Sequence, residues 1–452
     1  TEQRAGGDGL AAQGCALLSC AVSKLLSIVP GAALALAALS AVAQAPPAAP
    51  PLEPARLMQG FPPPPEYRIH IGNWQRWPQK IWSFQNTREL FPTRALTPRG
   101  LVWALPEARR PLDALQVGTA DAPMTWAQML AATHTDAVLV LHQGRIVEER
   151  YLNGMKPETP HLMFSATKSM VGLMGAVLVA EGKLDPDARV AALLPELADS
   201  AWADATVRQV LDMTDGVRFT EVYTDPKSDI FAYVGAMGWA PELVKPGNPT
   251  GILGMLGTLK GRHDEPRGTA FRYRSPATDV AGWLASRAAQ QSITQWLQER
   301  LWNRLGMEHE GNVMLDPLGT EVTFAGMSTS LRDLGRIGQM LLQRGRVGEQ
   351  QIIPARVVDD LIRGGDPRAF EASGITYRKG WSYRDQWWIN PQKPRSFAAM
   401  GAYGQRLYVF PDHQTVVVMF GSHPQPIAAL VDPSHARAFA AMIDLLGSTP
   451  AR

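Results

Sequence analysis

The sequence predicts an α/β fold of the α+β type, in which an antiparallel sheet is built from both ends of the main domain. Residues 137–141 and 146–151 are predicted to form two strands around a tight turn at residues 142–145. Residues 406–410 and 415–420 form a second hairpin near the other end. The residues between these hairpins, about 186–320, carry helical patterns that Gly and Pro loops interrupt. Strands at both ends with helices between them predict a sheet flanked by helices, with an inserted, mostly helical subdomain.

The first 45 residues are predicted to be a leader. Lys24 precedes a short apolar run at 25–39, and small residues follow it, as in a secretory signal peptide cleaved after Ala43. The alternative is a membrane anchor, but the run is short for a span of about 20 residues. Residues 1–21 do not resemble the start of a signal peptide, which suggests an over-extended gene start with Val22 as the initiator. We therefore expect a secreted or periplasmic protein.

After the leader, residues 46–115 form a Pro- and aromatic-rich arm, and residues 116–450 form the main domain. The many aromatic residues of the arm favour packing on the main domain over a disordered tail. Helices are predicted after Ser165 as far as residues 181–182. Further helices are predicted at 206–213, 281–305, 330–344 and 436–446.

Composition excludes several function classes. The 452 residues are 45% hydrophobic and 19% charged, with 44 basic and 42 acidic residues and a net charge of +2. No basic cluster stands out, so a nucleic acid or an anionic membrane has no electrostatic support as a partner. Both cysteines, Cys15 and Cys20, lie in the leader, and the nine histidines show no ligand-like spacing. We predict no metal and no other cofactor, and the oligomeric state is not readable.

Ser165 and Lys168 are the first candidate catalytic residues. They form a Ser-x-x-Lys sequence at the start of an apolar helix, where positions i and i+3 are neighbours on one face. A serine nucleophile needs a base, and a lysine serves only when it is neutral. Burial and a nearby positive charge are expected to depress its pKa. The alternative is a surface serine and a solvated lysine on an ordinary helix.

Two further segments could complete such a site. Tyr273, in Tyr273-Arg-Ser275, could pass a proton to a leaving group, although a tyrosine packed by its ring is the simpler interpretation. Residues 401–405 read Gly-Ala-Tyr-Gly-Gln just before a strand. Glycine lets the backbone approach a ligand closely, so an N–H there could act as an oxyanion donor. The alternative is a plain Gly-rich entry to the hairpin.

The order of these three motifs resembles the serine β-lactamase and penicillin-binding-protein superfamily, in its class C β-lactamase and D-alanyl-D-alanine carboxypeptidase branch. Within that branch, residues 60–65, 73–74, 82–85 and 223–229 resemble the 6-aminohexanoate-dimer hydrolase group, the nylon-oligomer amidases. The resemblance covers about residues 57–445. It implies a β-lactamase/transpeptidase-like fold and a serine hydrolase that works through an acyl-enzyme.

The resemblance also implies roles for individual residues. Ser165 would be the acylated nucleophile, Lys168 its general base, and Tyr273 the proton donor to the leaving amine. The N–H groups of Ser165 and Gln405 would form the oxyanion hole. Residues that would contact substrate are Tyr223, Ser275, Tyr403 and Gly404.

Two departures from the family pattern affect the predicted substrate. The common Tyr-x-Asn is Tyr273-Arg-Ser275 here, which the 6-aminohexanoate-dimer hydrolase group tolerates. Ala402 stands where a Lys or His usually helps to bind the carboxylate of β-lactams and D-alanine peptides, so β-lactam hydrolysis is disfavoured. We expect an amide or ester of a small molecule as substrate. The alternatives are a D-alanyl-D-alanine carboxypeptidase or β-lactamase, and a non-catalytic peptide-binding or sensing protein on the same fold.

Overall fold

A seven-stranded antiparallel sheet joins the two ends of the main domain in the computed structural model, which describes residues 52–448. Its strand order is β3-β2-β13-β12-β11-β10-β9, so the last strand of the chain lies beside the first hairpin. The predicted leader and both cysteines lie outside the described residues. The described strands are β1 Thr93–Leu96, β2 Thr135–His142, β3 Arg145–Tyr151, β4 His161–Leu162, β5 Gly311–Met314, β6 Met327–Thr329, β7 Arg346–Val347, β8 Gln350–Gln351, β9 Ser382–Arg384, β10 Trp387–Asn390, β11 Ser396–Gly401, β12 Gln405–Phe410 and β13 Thr415–Gly421.

Local sequence explains both predicted hairpins. Between β2 and β3, Gln143 and Gly144 have φ of 51° and 74°, as a two-residue turn of the primed type requires. Between β12 and β13, a 3₁₀ turn at Pro411–His413 reverses the chain, and Gln414 leaves it with a φ of 47°. β13 is buried along its whole length because strands pair with it on both sides and helices cover the sheet.

Helices cover this sheet and fill the segment between its two halves. The fold class predicted from the sequence is confirmed. The described α-helices are α1 Lys80–Ser83, α2 Trp126–Ala132, α3 Ala166–Ala180, α4 Val190–Leu193, α5 Val207–Leu211, α6 Asp229–Ala236, α7 Ile252–Thr258, α8 Ser275–Ala289, α9 Ile293–Leu297, α10 Leu331–Leu342, α11 Ala355–Arg363, α12 Pro367–Glu371 and α13 Asp432–Gly447.

The prediction of one helix over residues 281–305 is wrong. α8 begins at Ser275, with Pro276 in its first turn, where the missing N–H and fixed φ of proline suit a helix start. It ends where Gln290 adopts a left-handed conformation with a φ of 53°. Ser292 then begins α9 through a capping box with Gln295. The earlier start places Tyr273 directly in front of α8 and Ser275 in its first turn.

A second sheet contains the strand that precedes the candidate nucleophile in the sequence. Its four strands have the order β1-β5-β6-β4, and β4 ends three residues before Ser165. β1 belongs to the N-terminal arm and pairs antiparallel with β5 from Thr93 to Leu96. Residues 52–115 thus share one compact unit with the described residues that follow them. In that unit no helix is long and apolar enough to cross a membrane.

Candidate active site

Ser165 lies at the N-terminus of α3, immediately after a strained residue. Phe164 has a φ of 45°, a left-handed conformation that is rare for a bulky side chain and is found at functional turns. α3 continues for 15 residues and is buried on nearly all sides. This packing fixes the position of Ser165 at the start of the helix. Backbone N–H groups at a helix N-terminus favour negative charge. The helix N-terminus at Ser165 is therefore suited to stabilise a developing oxyanion.

Lys168 is held one helical turn from Ser165 and is 1% exposed. Its Nζ donates to Ser165 Oγ at 3.0 Å, to Ser275 Oγ at 3.1 Å and to the Phe324 carbonyl at 3.0 Å. An ammonium has three donors, so these acceptors satisfy all of them. The interpretation as a solvated lysine is excluded by this burial.

Burial lowers the pKa of Lys168 to about 8, whereas the charges of Glu221 and Asp279 raise it. The prediction of a nearby positive charge is therefore wrong. The neighbouring charges are negative, and desolvation alone lowers the pKa of Lys168. A pKa close to the working pH is what a general base needs. The neutral fraction of Lys168, and with it the rate of proton removal from Ser165, rises with pH through about 8.

Tyr273 faces the same nucleophile. Its ring lies 5.1 Å from Lys168 Nζ and stacks on Trp388 at 5.5 Å between centroids. Burial and the charge of Glu221 raise the pKa of Tyr273, while a hydrogen bond with the Ser165 side chain acts in the opposite direction. The phenol therefore keeps its proton at ordinary pH, in reach of Ser165.

Ser275, a predicted substrate contact, is fully buried beneath Lys168 and is not part of the wall of either cavity beside Ser165. Its Oγ donates to Glu221 Oε1 at 2.8 Å, and its N–H donates to Glu221 Oε2 at 2.6 Å. Tyr223 also donates to Glu221 Oε1, at 2.6 Å. Glu221 was missed in the sequence because a single carboxylate two residues before Tyr223 forms no motif. It connects the predicted substrate contact Tyr223 to the base through Ser275.

Asp279 is a second residue that the sequence did not reveal. It accepts hydrogen bonds from Thr323 Oγ1 at 2.5 Å, Tyr233 OH at 2.6 Å and the Phe324 N–H at 3.2 Å. These contacts hold residue 324 in place, and its carbonyl oxygen accepts a hydrogen bond from Lys168 Nζ. A backbone carbonyl that acts as an acceptor cannot be recognised from the pattern of side chains in the sequence.

Two cavities meet at Ser165. The arm-side cavity has a volume of about 280 Å³ and the Tyr273-side cavity about 370 Å³. Tyr223 and Ala402 line both, Tyr403 lines the first, and Tyr273 lines the second. Walls of the arm-side cavity include the apolar and aromatic residues Ile71, Trp74, Ile230, Phe231, Val234 and Trp239. Arg76 and Glu242 also line this cavity, so it offers both apolar and charged wall residues to a substrate.

The N-terminal arm supports the strained turn through an aromatic cluster. Trp74 is stacked on Phe164 at 6.3 Å, Phe84 meets the same ring edge-on at 4.7 Å, and Tyr403 lies 5.0 Å from it. Lys80, also from the arm, lies 4.1 Å from the Tyr403 ring and donates to the Pro424 carbonyl at 2.8 Å. Aromatic pairs of this kind each contribute about 0.5–1.5 kcal/mol beyond their burial.

Of the glycines at residues 401–405, Gly401 makes the close approach to the nucleophile turn. A Cβ on Gly401 would lie 2.2 Å from the Met163 carbonyl oxygen and 3.1 Å from the Ala166 nitrogen. Gly404, with a φ of 107°, lies beside Gly421 and lines neither cavity. Gln405 is buried, and its amide donates to the Ala402 and Gly421 carbonyls. The structure thus brings Ala402 and Tyr403, but not Gly404 or Gln405, to the cavities.

Changing Glu221 to Gln is expected to move the acidic limb of the kcat/KM pH profile downwards by about one pH unit. The carboxylate raises the pKa of Lys168, so its loss lowers that pKa below about 8 and leaves more neutral base at a given pH. The profile is measured with an activated ester between pH 5 and 10. Glu310→Gln is the control, since Glu310 is exposed and paired with Arg88. A limb that stays in place in Glu221→Gln would contradict this role.

Comparison with known proteins agrees with this geometry. Residues 126–442 match the profile of the Beta-lactamase family. The chain is 32% identical over 358 residues to the 6-aminohexanoate-dimer hydrolase of Paenarthrobacter ureafaciens, a match that covers 79% of this chain and 88% of that protein. A 6-aminohexanoate-dimer hydrolase-like structure from Bacillus anthracis superposes with a TM-score of 0.78 at 26% identity, covering 86% of this chain and all of that one. A family VIII carboxylesterase, 16% identical with a TM-score of 0.51 and covering 77% and 98%, shares the fold.

Proposed function

The chain belongs to the Beta-lactamase family and is a serine hydrolase of amides or esters, and on that premise we propose that it acts through an acyl-enzyme on Ser165. The observation that carries the proposal is the buried Lys168, whose Nζ lies 3.0 Å from Ser165 Oγ. The 6-aminohexanoate-dimer hydrolase resemblance predicted from the motifs is confirmed. The substrate we propose is a small molecule with an amide or ester bond.

The proposed reaction has two halves. Neutral Lys168 accepts the Ser165 proton as Oγ attacks the carbonyl carbon, and Tyr273 donates its proton to the departing nitrogen or oxygen. The proton on Lys168 returns to the Tyr273 oxygen, which restores both groups. A water molecule then attacks the ester on Ser165 and gives up a proton to the Lys168–Tyr273 pair. The pair returns this proton to Ser165 Oγ as the C–O bond breaks, which releases the acid and restores the free serine. The hydrogen bonds that Lys168 Nζ donates to Ser275 Oγ and to the Phe324 carbonyl hold the side chain in place.

For the oxyanion we propose the N–H of Ser165 together with the N–H of Ala402, in place of Gln405. Ala402 lines both cavities with Ser165 and follows Gly401, whose backbone lies against the nucleophile turn. Two such donors aimed at the developing charge are the usual arrangement in acyl transfer. The N-terminus of α3 adds its dipole at the same point.

Labelling by a fluorophosphonate tests the nucleophile. We expect stoichiometric labelling of the wild type, with the adduct found on Ser165 by peptide mass spectrometry, and no labelling of Ser165→Ala. Ser169→Ala is the matched control because Ser169 lies on the same helix, is buried, and donates to the Gln386 carbonyl rather than to the site. Labelling that survives Ser165→Ala would refute the proposal.

The alternative substrates that the sequence left open are β-lactams and D-alanine peptides. Ala402 at the cavity edge offers no cation for their carboxylate, which favours linear amides and esters. A panel of p-nitrophenyl esters, linear amides and nitrocefin, ranked by kcat/KM, distinguishes these classes. Strong nitrocefin turnover would contradict this interpretation of Ala402, and acylation without product release from any ester would favour a binding protein.

We propose in addition that the protein is exported. The support is the apolar run at 25–39 and the small residues that follow it. The N-terminal residue of protein recovered outside the cytoplasm, read by mass spectrometry, is expected to be Gln44. Protein that is found only in the cytoplasm with an intact leader would refute export.

A further inference from the structure

Two strained residues stand next to the two proposed oxyanion donors. Phe164, with a φ of 45°, comes directly before Ser165, and Tyr403, with a φ of 64°, comes directly after Ala402. A left-handed conformation is unfavourable for a bulky side chain and persists only where the surrounding structure holds it. The rings of Phe164 and Tyr403 lie 5.0 Å apart between centroids. The contacts that hold Tyr403 therefore also affect the distance between the two proposed donors.

The N-terminal arm supplies most of the contacts that hold Tyr403. Lys80 Nζ lies 4.1 Å from the centre of the Tyr403 ring, and Phe84 packs against the same ring at 5.1 Å between centroids. The Tyr403 hydroxyl donates to Gln75 Oε1 at 3.3 Å. The Tyr403 carbonyl accepts from the His423 N–H at 3.1 Å. Residue 403 is thus held at its ring, its hydroxyl and its carbonyl, and three of these four contacts come from the arm.

Lys80 is a buried cation without a carboxylate partner. It is 2% exposed, and burial lowers its pKa to about 8, with no acidic group in the described part of the chain to raise it. Its Nζ donates to the Pro424 carbonyl at 2.8 Å and to the His423 carbonyl at 3.5 Å, and it faces the Tyr403 ring. A neutral side chain would fill this space at a lower desolvation cost. This cost indicates that the charge of Lys80 has a use here.

The two carbonyls that Lys80 binds belong to the segment that follows β13. Pro426, in the same segment, lines both cavities beside Ser165. His423 also holds the Tyr403 carbonyl through its own N–H. The Lys80 ammonium thus joins three pieces of the structure, namely the arm, residue 403 and residues 423–424. A neutral side chain at this position would release the last two from the arm.

We propose that Lys80 is a positioning residue for the oxyanion hole. Its ammonium holds the Tyr403 ring against Phe164, and this contact keeps the Ala402 N–H at a fixed distance from the Ser165 N–H. Lys80 is not part of the wall of either cavity, so it acts through Tyr403 and touches no reacting atom. The inference rests on the proposed function, and it gives the N-terminal arm a part in the stabilisation of the transition state.

The test compares a transition-state analogue with a ground-state analogue of the same chain length. Propylboronic acid forms a tetrahedral adduct with a serine and places an anionic oxygen where the oxyanion develops, whereas butyramide reports binding of a neutral carbonyl. In Lys80→Met we expect kcat/KM for p-nitrophenyl butyrate to fall by about tenfold to hundredfold, as misplaced catalytic groups cause. The inhibition constant of the boronic acid should rise by the same factor. That of butyramide should stay unchanged.

Two further variants distinguish positioning from folding, and fluorophosphonate titration counts the active sites of each protein. Lys80→Arg keeps a cation over the Tyr403 ring and is expected to recover most of the loss. Gln85→Leu is the matched control, because Gln85 is a buried residue of the same arm whose amide donates to the Ile81 and Asn153 carbonyls. It should unfold at a lower temperature than the wild type but keep the wild-type kcat/KM and boronic acid inhibition constant.

Each outcome supports or overturns the role of Lys80. Wild-type kcat/KM in Lys80→Met overturns it, as does a loss that the boronic acid inhibition constant does not follow. An equal loss in Gln85→Leu assigns the effect to docking of the arm and overturns it too. If Lys80→Met does not fold, Lys80→Gln takes its place, since it keeps a donor without the charge. If neither neutral variant folds while Lys80→Arg has wild-type kinetics, Lys80 serves stability alone and the inference is overturned.

Failure of this inference is distinct from failure of the proposed function. Wild-type protein that is labelled on Ser165 and hydrolyses the ester keeps the proposed function, whatever the Lys80 variants do. Absence of any Ser165 acylation in the wild type overturns the proposed function itself.

Discussion

Lys168→Met is expected to lower kcat/KM for ester hydrolysis by about a thousandfold or more, because general-base catalysis contributes about 10²- to 10⁴-fold. Methionine has a similar length and keeps the site filled, so the change removes the base rather than the packing. Ser275 still donates to Glu221, whereas Ser165 Oγ, Ser275 Oγ and the Phe324 carbonyl each lose the donor that Lys168 supplied. The measurement is steady-state kinetics together with the rate of fluorophosphonate labelling, which should fall in parallel.

Lys183→Met is the matched control for Lys168→Met. The Lys183 side chain is 54% exposed and pairs with Glu181 at the surface, so its loss should leave kcat/KM within twofold of the wild type, or about 0.4 kcal/mol. A Lys168→Met enzyme that keeps more than a tenth of wild-type activity would show that another group removes the Ser165 proton. The pH profile would then have no limb near 8.

Gly401→Ala has the second largest expected effect, a loss of about hundredfold or more in kcat/KM, since a misplacement of 1 Å in an active site can cost that much. The added methyl group would lie 2.2 Å from the Met163 carbonyl oxygen, so either β11 or the nucleophile turn must shift. A shift of either group moves Ala402 relative to Ser165 and so disturbs the proposed oxyanion donors. We expect the loss in kcat rather than in KM.

Gly257→Ala controls for the exchange of a glycine. No atom lies within 4 Å of a Cβ built on Gly257, and the residue is inside α7, so alanine there should stabilise the fold by about 0.5–1 kcal/mol without changing kcat. Thermal unfolding and circular dichroism of both variants separate folding from catalysis. Wild-type kcat in folded Gly401→Ala would refute the proposed close approach.

The sequence predicts the hairpins and the fold class well because their signals are local. The apolar run at residues 137–141 and the turn residues Gln143 and Gly144 lie within a few positions of each other. The predicted helix over residues 281–305 failed for an equally local reason, the left-handed Gln290 and the cap at Ser292, which periodicity alone does not reveal. Pro276 marks the earlier start of α8 and was the available signal.

Within the site, the residues predicted from motifs are those whose spacing is fixed by one element. Ser165 and Lys168 share the first turn of α3, so their meeting follows from the sequence. The sequence does not reveal which backbone N–H of residues 401–405 lies near Ser165. That depends on where β11 ends against Met163, and these two segments are more than 230 residues apart in the sequence. Glu221 and the Phe324 carbonyl likewise act through tertiary contacts, and Ser275 is aimed at Lys168 only because α8 packs on α3.

The ring of Phe164 has a consequence for the order of events during folding. The strained turn before Ser165 packs against Trp74 and Phe84, which are synthesised about 90 and 80 residues before Phe164, and against Tyr403, which is synthesised about 240 residues after it. Contacts so distant along the chain form late, after their closing entropy has been overcome. We therefore expect the turn before the nucleophile to reach its final geometry only when the segment of Trp74 and Phe84 and the segment of Tyr403 have both packed against Phe164. A nascent chain that ends before Tyr403 already carries Ser165, Lys168 and Tyr273, and we expect its activity to be reduced because its nucleophile turn lacks this support.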